Sequence, residues 1–405
     1  MRISTQTFYE QSNATMGSQQ SSLLRVQQQM GSMTKILAPS DDPIGATRAL
    51  GVSQSIALNT QYAASRSQAV QTLSLEESAL QSVTTILQDL KGLVVQAGNG
   101  TFTDADRASI ATAMESSLEQ LQGLANADDG NGQYLFAGFK SASLPFVKQA
   151  DGSIQYVGDQ GSRMMQVDVS RTMAATDDGR NIFQSVQGGA GYVGSGSVGN
   201  TGTGVFGANA VVNASDPNFG KDFSISFPTA TSYKVDTVPP GTAPVTTGTY
   251  SAGSSILFGG LQIAISGAPA AGDSFQVKTA KNAGPDIFGT IRDAIAAIRA
   301  PLDSGNTANR AQLLNAMATA NRKITNSHEN VLTIRSSVGS RLQELDVLNT
   351  AGGDRVLLDK SHLSDLQDLD YATAISEFYQ RQTALQATQQ VFVKIQGLSL
   401  FNYLR

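Results

Sequence analysis

No cysteine occurs among the 405 residues of this chain, so neither a disulfide framework nor a thiolate metal set holds it together. A cytosolic enzyme of this size ordinarily carries a few cysteines, and their absence favours an exported protein. Tryptophan is also missing, aromatic residues make up 6%, and charged residues only 15%. Such thin apolar bulk favours an elongated molecule over one compact globule. The net charge of −5 and the lack of any basic run exclude a general attraction to nucleic acid. No apolar run approaches the length of a membrane span, which argues against membrane insertion. The first residues, Met1-Arg2-Ile3-Ser4-Thr5-Gln6, lack the apolar core of a secretory signal peptide. Export is therefore expected by a route that removes nothing from the N-terminus.

Proline is absent between Pro43 and Pro145 and again after Pro301, which permits long helices in both windows. Residues 44–98 step Leu73, Leu80, Val83, Leu87, Leu90 and Val94 along one face, and Gly98-Asn99-Gly100 ends the run. Thr103 and Asp106 approximate a capping box, and Ile110, Met114, Leu121 and Leu124 follow as a buried face. After the turn at residues 128–132 the pattern alternates through Tyr134 and Phe136, Ile154 and Tyr156, then Met165, Val167 and Val169, which predicts short strands. Residues 188–207 hold nine glycines and no charge and read as a loop or linker. Phe223–Phe227 and Leu261–Ile265 are strand candidates inside a β insertion. Pro285 is placed as the first residue of a helix carrying Ile287, Ile291, Ala294, Ile295 and Ile298. A long helix from Asn306 carries Leu313, Met317, Ala320, Ile324, Val331, Val338 and Leu345, with Gly352-Gly353 expected to interrupt it. The last helix is expected from about Ser364 to Leu398. Four long stripes, two before and two after the β insertion, cover one another only as an antiparallel bundle. The fold class is thus α+β, a helical bundle built from both chain ends with a β-rich insertion, and the termini lie side by side.

Few residues offer chemistry. Gly194-Ser-Gly196-Ser-Val-Gly199 fits a dinucleotide pattern, but Asn200-Thr-Gly-Thr-Gly follows it and cannot open the helix that a pyrophosphate needs. Asp128-Asp129-Gly130-Asn131-Gly132 shares the start of a calcium loop but lacks its later ligands, so a plain turn is expected. His328 and His362 have no second ligand near them in sequence. No nucleophile-elbow pattern supports a Ser-His-Asp triad. No catalytic residue, cofactor site or metal site is assigned, and an enzyme is not expected.

The two ends stand apart. Met16, Leu23, Val26, Met30, Met33 and Leu37 lie on one helical stripe, and Ile375, Phe378, Leu385, Phe392, Ile395 and Leu398 form a matching one. Glutamines flank both, Gln19, Gln20 and Gln27–Gln29 at one end and Gln380, Gln382, Gln386, Gln389 and Gln390 at the other. Uncharged amide faces neither repel copies of themselves nor demand counter-ions. These twelve residues are the candidate assembly interface. Too little apolar surface is available for an isolated helix pair, so the ends are expected to order on assembly.

The same ends carry a resemblance. Ile36-Leu-Ala-Pro-Ser-Asp-Asp-Pro-Ile-Gly-Ala-Thr-Arg48 resembles the N-terminal signature of the flagellin family, and Asp365-Leu-Gln-Asp-Leu-Asp-Tyr-Ala-Thr-Ala-Ile-Ser-Glu377 resembles its C-terminal segment. The ending Leu385-Gln-Ala-Thr-Gln-Gln-Val-Phe-Val-Lys-Ile-Gln-Gly-Leu-Ser-Leu-Phe-Asn-Tyr-Leu404 is similar to the hook–filament junction branch of that family. So is Gln133-Tyr-Leu-Phe-Ala-Gly-Phe-Lys140 with Pro145-Phe146. The resemblance implies a structural flagellar component, exported through the flagellar channel with an uncleaved signal and located outside the cell. It implies a ring of neighbouring copies set between the preceding hook-associated junction protein and the first flagellin subunits. A cytosolic export chaperone is expected on the C-terminal helix. Residues 1–40 and 366–405 would form the inner tube, 41–185 and 283–365 a helical bundle with short β-hairpins, and 186–282 an outer β-rich domain. Two other readings stay open, a filament flagellin and a secreted adhesin-like protein that binds through its β domain.

Overall fold

The computed structural model describes residues 5–302 and 306–397. Among these lie seven helices: α1 (Thr5–Ser32), α2 (Pro43–Ala97), α3 (Asp104–Ala125), α4 (Gly179–Phe183), α5 (Ile287–Arg299), α6 (Thr307–Gln367) and α7 (Tyr371–Gly397). The chain divides into two compact units, residues 1–64 with 347–405, and residues 65–346.

In the second unit, α2 and α6 run antiparallel. Arg335 reaches Glu77 at 2.6 Å, and Gln88 lies 3.4 Å from His328. Their stripes face inward: Leu73, Leu80, Val83, Leu87, Leu90 and Val94 are buried, as are Leu313, Met317, Ile324, Val331, Val338 and Leu345. Each such side chain contributes about 1.5–3 kcal/mol by leaving water. Thr103 caps α3 through a full capping box with Asp106, whose carboxyl is held below its usual range by those hydrogen bonds. The helix after Pro285 starts two residues later than expected. Asp286 is its cap, accepting from the amides of Phe288 (3.2 Å) and Gly289 (3.0 Å).

Two short antiparallel hairpins come first, β1 (Phe146–Lys148) with β2 (Ile154–Tyr156) and β3 (Met164–Asp168) with β4 (Arg171–Ala174). The β insertion follows with β5 (Val193–Gly196), β6 (Val205–Phe206), β7 (Ala210–Val211), β8 (Asp222–Thr229), β9 (Ser232–Val238), β10 (Thr246–Thr249), β11 (Ser255–Phe258), β12 (Leu261–Ser266) and β13 (Ser274–Lys278). They make a five-stranded antiparallel sheet in the order β10-β9-β8-β13-β5 and a four-stranded one in which β12 pairs β11, β6 and β7. Phe223, Ile225, Phe275 and Val277 from the first sheet share one core with Ile256, Ile263 and Ile265 from the second.

Residues 188–207 are not a free linker. They supply β5 and β6, and a ladder of polar side chains on α6 holds their backbone. Gln312 donates to the carbonyls of Val198 (3.2 Å) and Asn200 (2.9 Å), Asn315 to Gly204 (2.9 Å) and Thr319 to Gly194 (2.8 Å). Arg322 then donates to Tyr192 (3.3 Å), and Asn326 to Gly191 (2.9 Å). The glycines serve close approach here: a Cβ at Gly191 would sit 1.3 Å from the Arg322 guanidinium. Other expectations fail for similar local reasons. Gly352-Gly353 does not interrupt α6: each glycine costs about 1 kcal/mol in a helix interior, and the pair lies within a helix of 61 residues. The break comes instead at residues 368–370, and the last helix starts at Tyr371 rather than Ser364. Tyr134 and Phe136 lie in a turn and not in a strand, with only an isolated bridge between Asp128 and Tyr134.

One buried carboxyl stands out. Glu76 on α2 is fully buried beside Asp177, and neither of its oxygens makes a hydrogen bond of ordinary geometry. Burial first, and the neighbouring charge of Asp177 second, push it well above the usual glutamate range, while Arg341, paired with Asp177, pulls the other way. The folded state therefore keeps a proton that the unfolded chain releases. The stability this proton supplies is full below the usual glutamate range and is lost as the pH rises. Glu76→Gln is expected to raise the thermal midpoint at about pH 8 and to leave it unchanged at about pH 4. Thermal unfolding followed by circular dichroism reads the difference; an equal shift at both pH values would assign the effect to packing instead.

Candidate functional site: the paired terminal helices

Within the first unit, α1 and α7 pack antiparallel. The rings of Tyr9 and Phe392 meet edge to face at 5.6 Å, and the Tyr371 hydroxyl donates to the Met30 carbonyl at 2.8 Å. The inward positions of α1 are Tyr9, Ser12, Met16, Gln19, Leu23, Val26 and Met30, and those of α7 are Ala374, Phe378, Arg381, Leu385, Thr388 and Phe392. Steps of three and four give each helix a seven-residue period, the spacing of helices that meet along a seam.

Ten of the twelve interface candidates can be placed by side chain and relative exposure. Val26 is buried, and Met16, Leu23, Met30, Phe378, Leu385 and Phe392 are half-buried in the seam. Met33, Leu37 and Ile375 are exposed and do not join it. That leaves two, because Leu398 and the Ile395 side chain lie outside the described residues; the placed set is thus ten. Sequence reasoning missed Tyr9 and Ala374, which occupy seam positions at the same seven-residue period. The stripes read from sequence begin at Met16 and at Ile375, which leaves both out.

The pair buries little. Among the described residues of this unit, the buried apolar side chains are Val26, Ala49 and Ala374, whereas fourteen large apolar ones are exposed. Leu24, Ile44, Leu50, Leu358, Tyr379 and Val393 are among the exposed set. Charge is sparse on the two helices: Glu10 and Arg25 on α1, and Glu377, Arg381 and Lys394 on α7, of which Glu377 and Arg381 pair with each other at 2.8 Å. Fourteen exposed large apolar side chains make this unit the candidate joining surface.

The connectors account for the signature residues. Between α1 and α2, Asp41 accepts from the amides of Leu37 and Ala38, both at 3.1 Å, and pairs with Arg25 at 3.1 Å. Asp42 caps α2 through the Gly45 amide (2.9 Å), and Pro43 is the first helical residue. A Cβ at Gly45 would lie 2.3 Å from the Asp42 carboxylate, so glycine keeps the cap in place. At the other break, Asp370 caps α7 by accepting from Thr373 and the amide of Ala372, and these hydrogen bonds, that of the Thr373 hydroxyl foremost, hold its carboxyl below the usual range. The two breaks are joined. Thr34 and Asp368 form an antiparallel bridge, in which Lys35 N donates to Gln367 O (2.8 Å) and Leu369 N to Met33 O (3.1 Å).

The Gln133–Lys140 turn lies in the second unit. Phe136 is buried beside Phe183 at 5.8 Å, and Asp159 accepts from the Phe139 amide at 2.8 Å. None of the other candidate sites gathers ligands. Gly194–Gly196 belongs to β5, and Asp129 closes its own turn by accepting from Asn131 N (2.9 Å) and Gln133 N (3.1 Å). Burial, with Lys91 second, pushes His328 below its usual range. Among the described residues no group of three His, Asp or Glu side chains is placed to hold a metal, and no helix is long and apolar enough to cross a membrane.

Comparison with known proteins agrees with this arrangement. The family profile of the bacterial flagellin N-terminal helical region matches residues 3–141. The chain is 34% identical over 401 residues to flagellar hook-associated protein 3 of Salmonella typhimurium, covering 99% of each. It is similar to the crystal structure of FlgL from Xanthomonas campestris, at 30% identity and a TM-score of 0.68, covering 77% of this chain and 99% of that one. The flagellar junction protein FlgL of Legionella pneumophila matches at 25% identity and a TM-score of 0.68, covering 79% of this chain and 99% of that one.

Proposed function

The chain belongs to the flagellar hook-associated protein 3 family, and from that membership we propose that it joins the hook to the flagellin filament. It is a structural subunit of the bacterial flagellum. Copies assemble side by side in a ring through their terminal helices, with the preceding hook-associated protein below and flagellin above. The observation that carries this reading is the imbalance in the first unit, three buried apolar side chains against fourteen exposed large ones among the described residues. An assembly supplies the neighbours that such a surface lacks. The helices of residues 1–40 and 366–405 line the inner tube, and residues 186–282 face outward. Export leaves the N-terminus uncleaved, a cytosolic chaperone holds the C-terminal helix before export, and no reaction is catalysed.

Motility of a strain lacking its own junction protein, complemented with this chain, tests the reading. Filaments are expected to stay attached to hooks. Bare hooks with flagellin shed into the medium would contradict it, and filaments built of this chain alone would make it a flagellin. The adhesin reading is separable. Val193 pairs with Lys278 across β5 and β13, so a short linker can replace residues 194–277. Attachment of filaments is expected to survive that excision, which an adhesin's activity would not.

A further inference from the structure

We propose that the bridge between the two helix breaks is a latch from which α1 and α7 zip together toward their free ends. Three observations converge on it. The first is the directional bonding, found at one end of the pair: the Lys35–Gln367 and Leu369–Met33 amide bonds, the Tyr371 hydroxyl on Met30, and the Lys35 ammonium on the Asp365 carbonyl at 2.6 Å. The second is burial. Val26 and Ala374, the buried apolar side chains among the described residues of these helices, both lie in the half of the seam nearest the latch. Farther out the seam positions include the polar Ser12, Gln19 and Thr388, and its residues are only half-buried. The third is backbone cost. Met33 takes a φ of +59°, a conformation that non-glycine residues avoid, and it does so where α1 ends and the bridge begins.

Helix formation has a costly nucleus and cheap propagation. A latch that fixes the first turns of both helices supplies that nucleus. The two helices then order together, not one after the other, and their free ends order last. This gives the ring a route to recruit each copy: the latched turns are present in the single chain, and neighbours complete the rest.

Hydrogen–deuterium exchange on the purified full chain tests this. Lys35→Pro and Leu369→Pro each delete one amide donor of the bridge, from opposite strands. Each is expected to lower protection in both α1 and α7 by about tenfold or more, a loss equivalent to one hydrogen bond. Loss confined to the helix adjoining the substituted residue would overturn the proposal. A second variant guards against simple misfolding. Thr34 and Asp368 face each other as a non-hydrogen-bonded pair, the closer of the two antiparallel spacings, and the chain has no other cysteine. Oxidised Thr34→Cys/Asp368→Cys is expected to raise protection in both helices, most at residues 22–32 and 371–381 and least at their free ends. Unchanged protection in the oxidised form, or protection greatest around Tyr9 and Phe392, would also overturn it. Exchange is read on the free chain, so failure of the zipper and failure of the junction role are separate results.

Discussion

Phe392→Asp is expected to abolish incorporation into the flagellum while leaving the second unit folded. The Phe392 ring closes the outer end of the seam against Tyr9. For an aspartate there, the nearest described cation on the same helix is Lys394, which is exposed and two residues on, a spacing that does not share the seam face, while Glu10 is the nearest charge in sequence to Tyr9. In the free chain the carboxylate stays in water at little cost. Assembly removes that water, and an unpaired buried charge costs several kcal/mol. In the proposed ring every subunit bears the substitution, so the penalty repeats at each contact. Swarming on soft agar falls to the level of the null strain, and secreted chain accumulates in the medium. The melting transition of residues 65–346 stays where it was, since Phe392 belongs to the other unit. Normal swarming would show that the seam is dispensable.

The largest loss of stability is expected from Phe146→Ala. Phe146 is almost fully buried, with its ring centroid 5.1 Å from Tyr156, 5.2 Å from Phe288 and 5.3 Å from Phe183. Burial, with Asp178 second, raises the Tyr156 pKa to about 12. Removing a buried phenyl ring costs about 3–5 kcal/mol, and for a unit of this size the thermal midpoint drops by about 10 °C. Differential scanning calorimetry reads this directly. A shift of only a degree or two would mean that the cavity collapses and that Phe183 and Phe288 repack.

Much of the fold was legible in the sequence because its signals were apolar and periodic. The absence of proline and the three–four spacing located α2, α3 and α6, and their stripe residues are buried in the second unit except Leu124, which is half-buried. The capping box at Thr103 could be read because its chemistry is local. What could not be read was polar or depended on distant partners. The α6 ladder consists of Gln312, Asn315, Thr319, Arg322 and Asn326, residues that look like a solvated face until a backbone lies against them. The glycines of residues 188–207 then serve close packing, where sequence alone suggested slack. In the terminal pair, size misled. Ile375 was expected in the seam, but Ala374 fills it because it sits four residues before Phe378 at the seam period. The bridge at Thr34 and Asp368 joins residues far apart in the chain, and no local pattern announces it.

Cross-linking between copies bears most directly on the terminal helices as the joining surface. Leu24 and Tyr379 are exposed on α1 and α7, and the chain has no native cysteine. Leu24→Cys and Tyr379→Cys, introduced together and treated with a short bismaleimide on sheared flagella, are expected to give a ladder of covalent oligomers of this chain. A single monomer band from flagella that carry the chain would contradict the assignment.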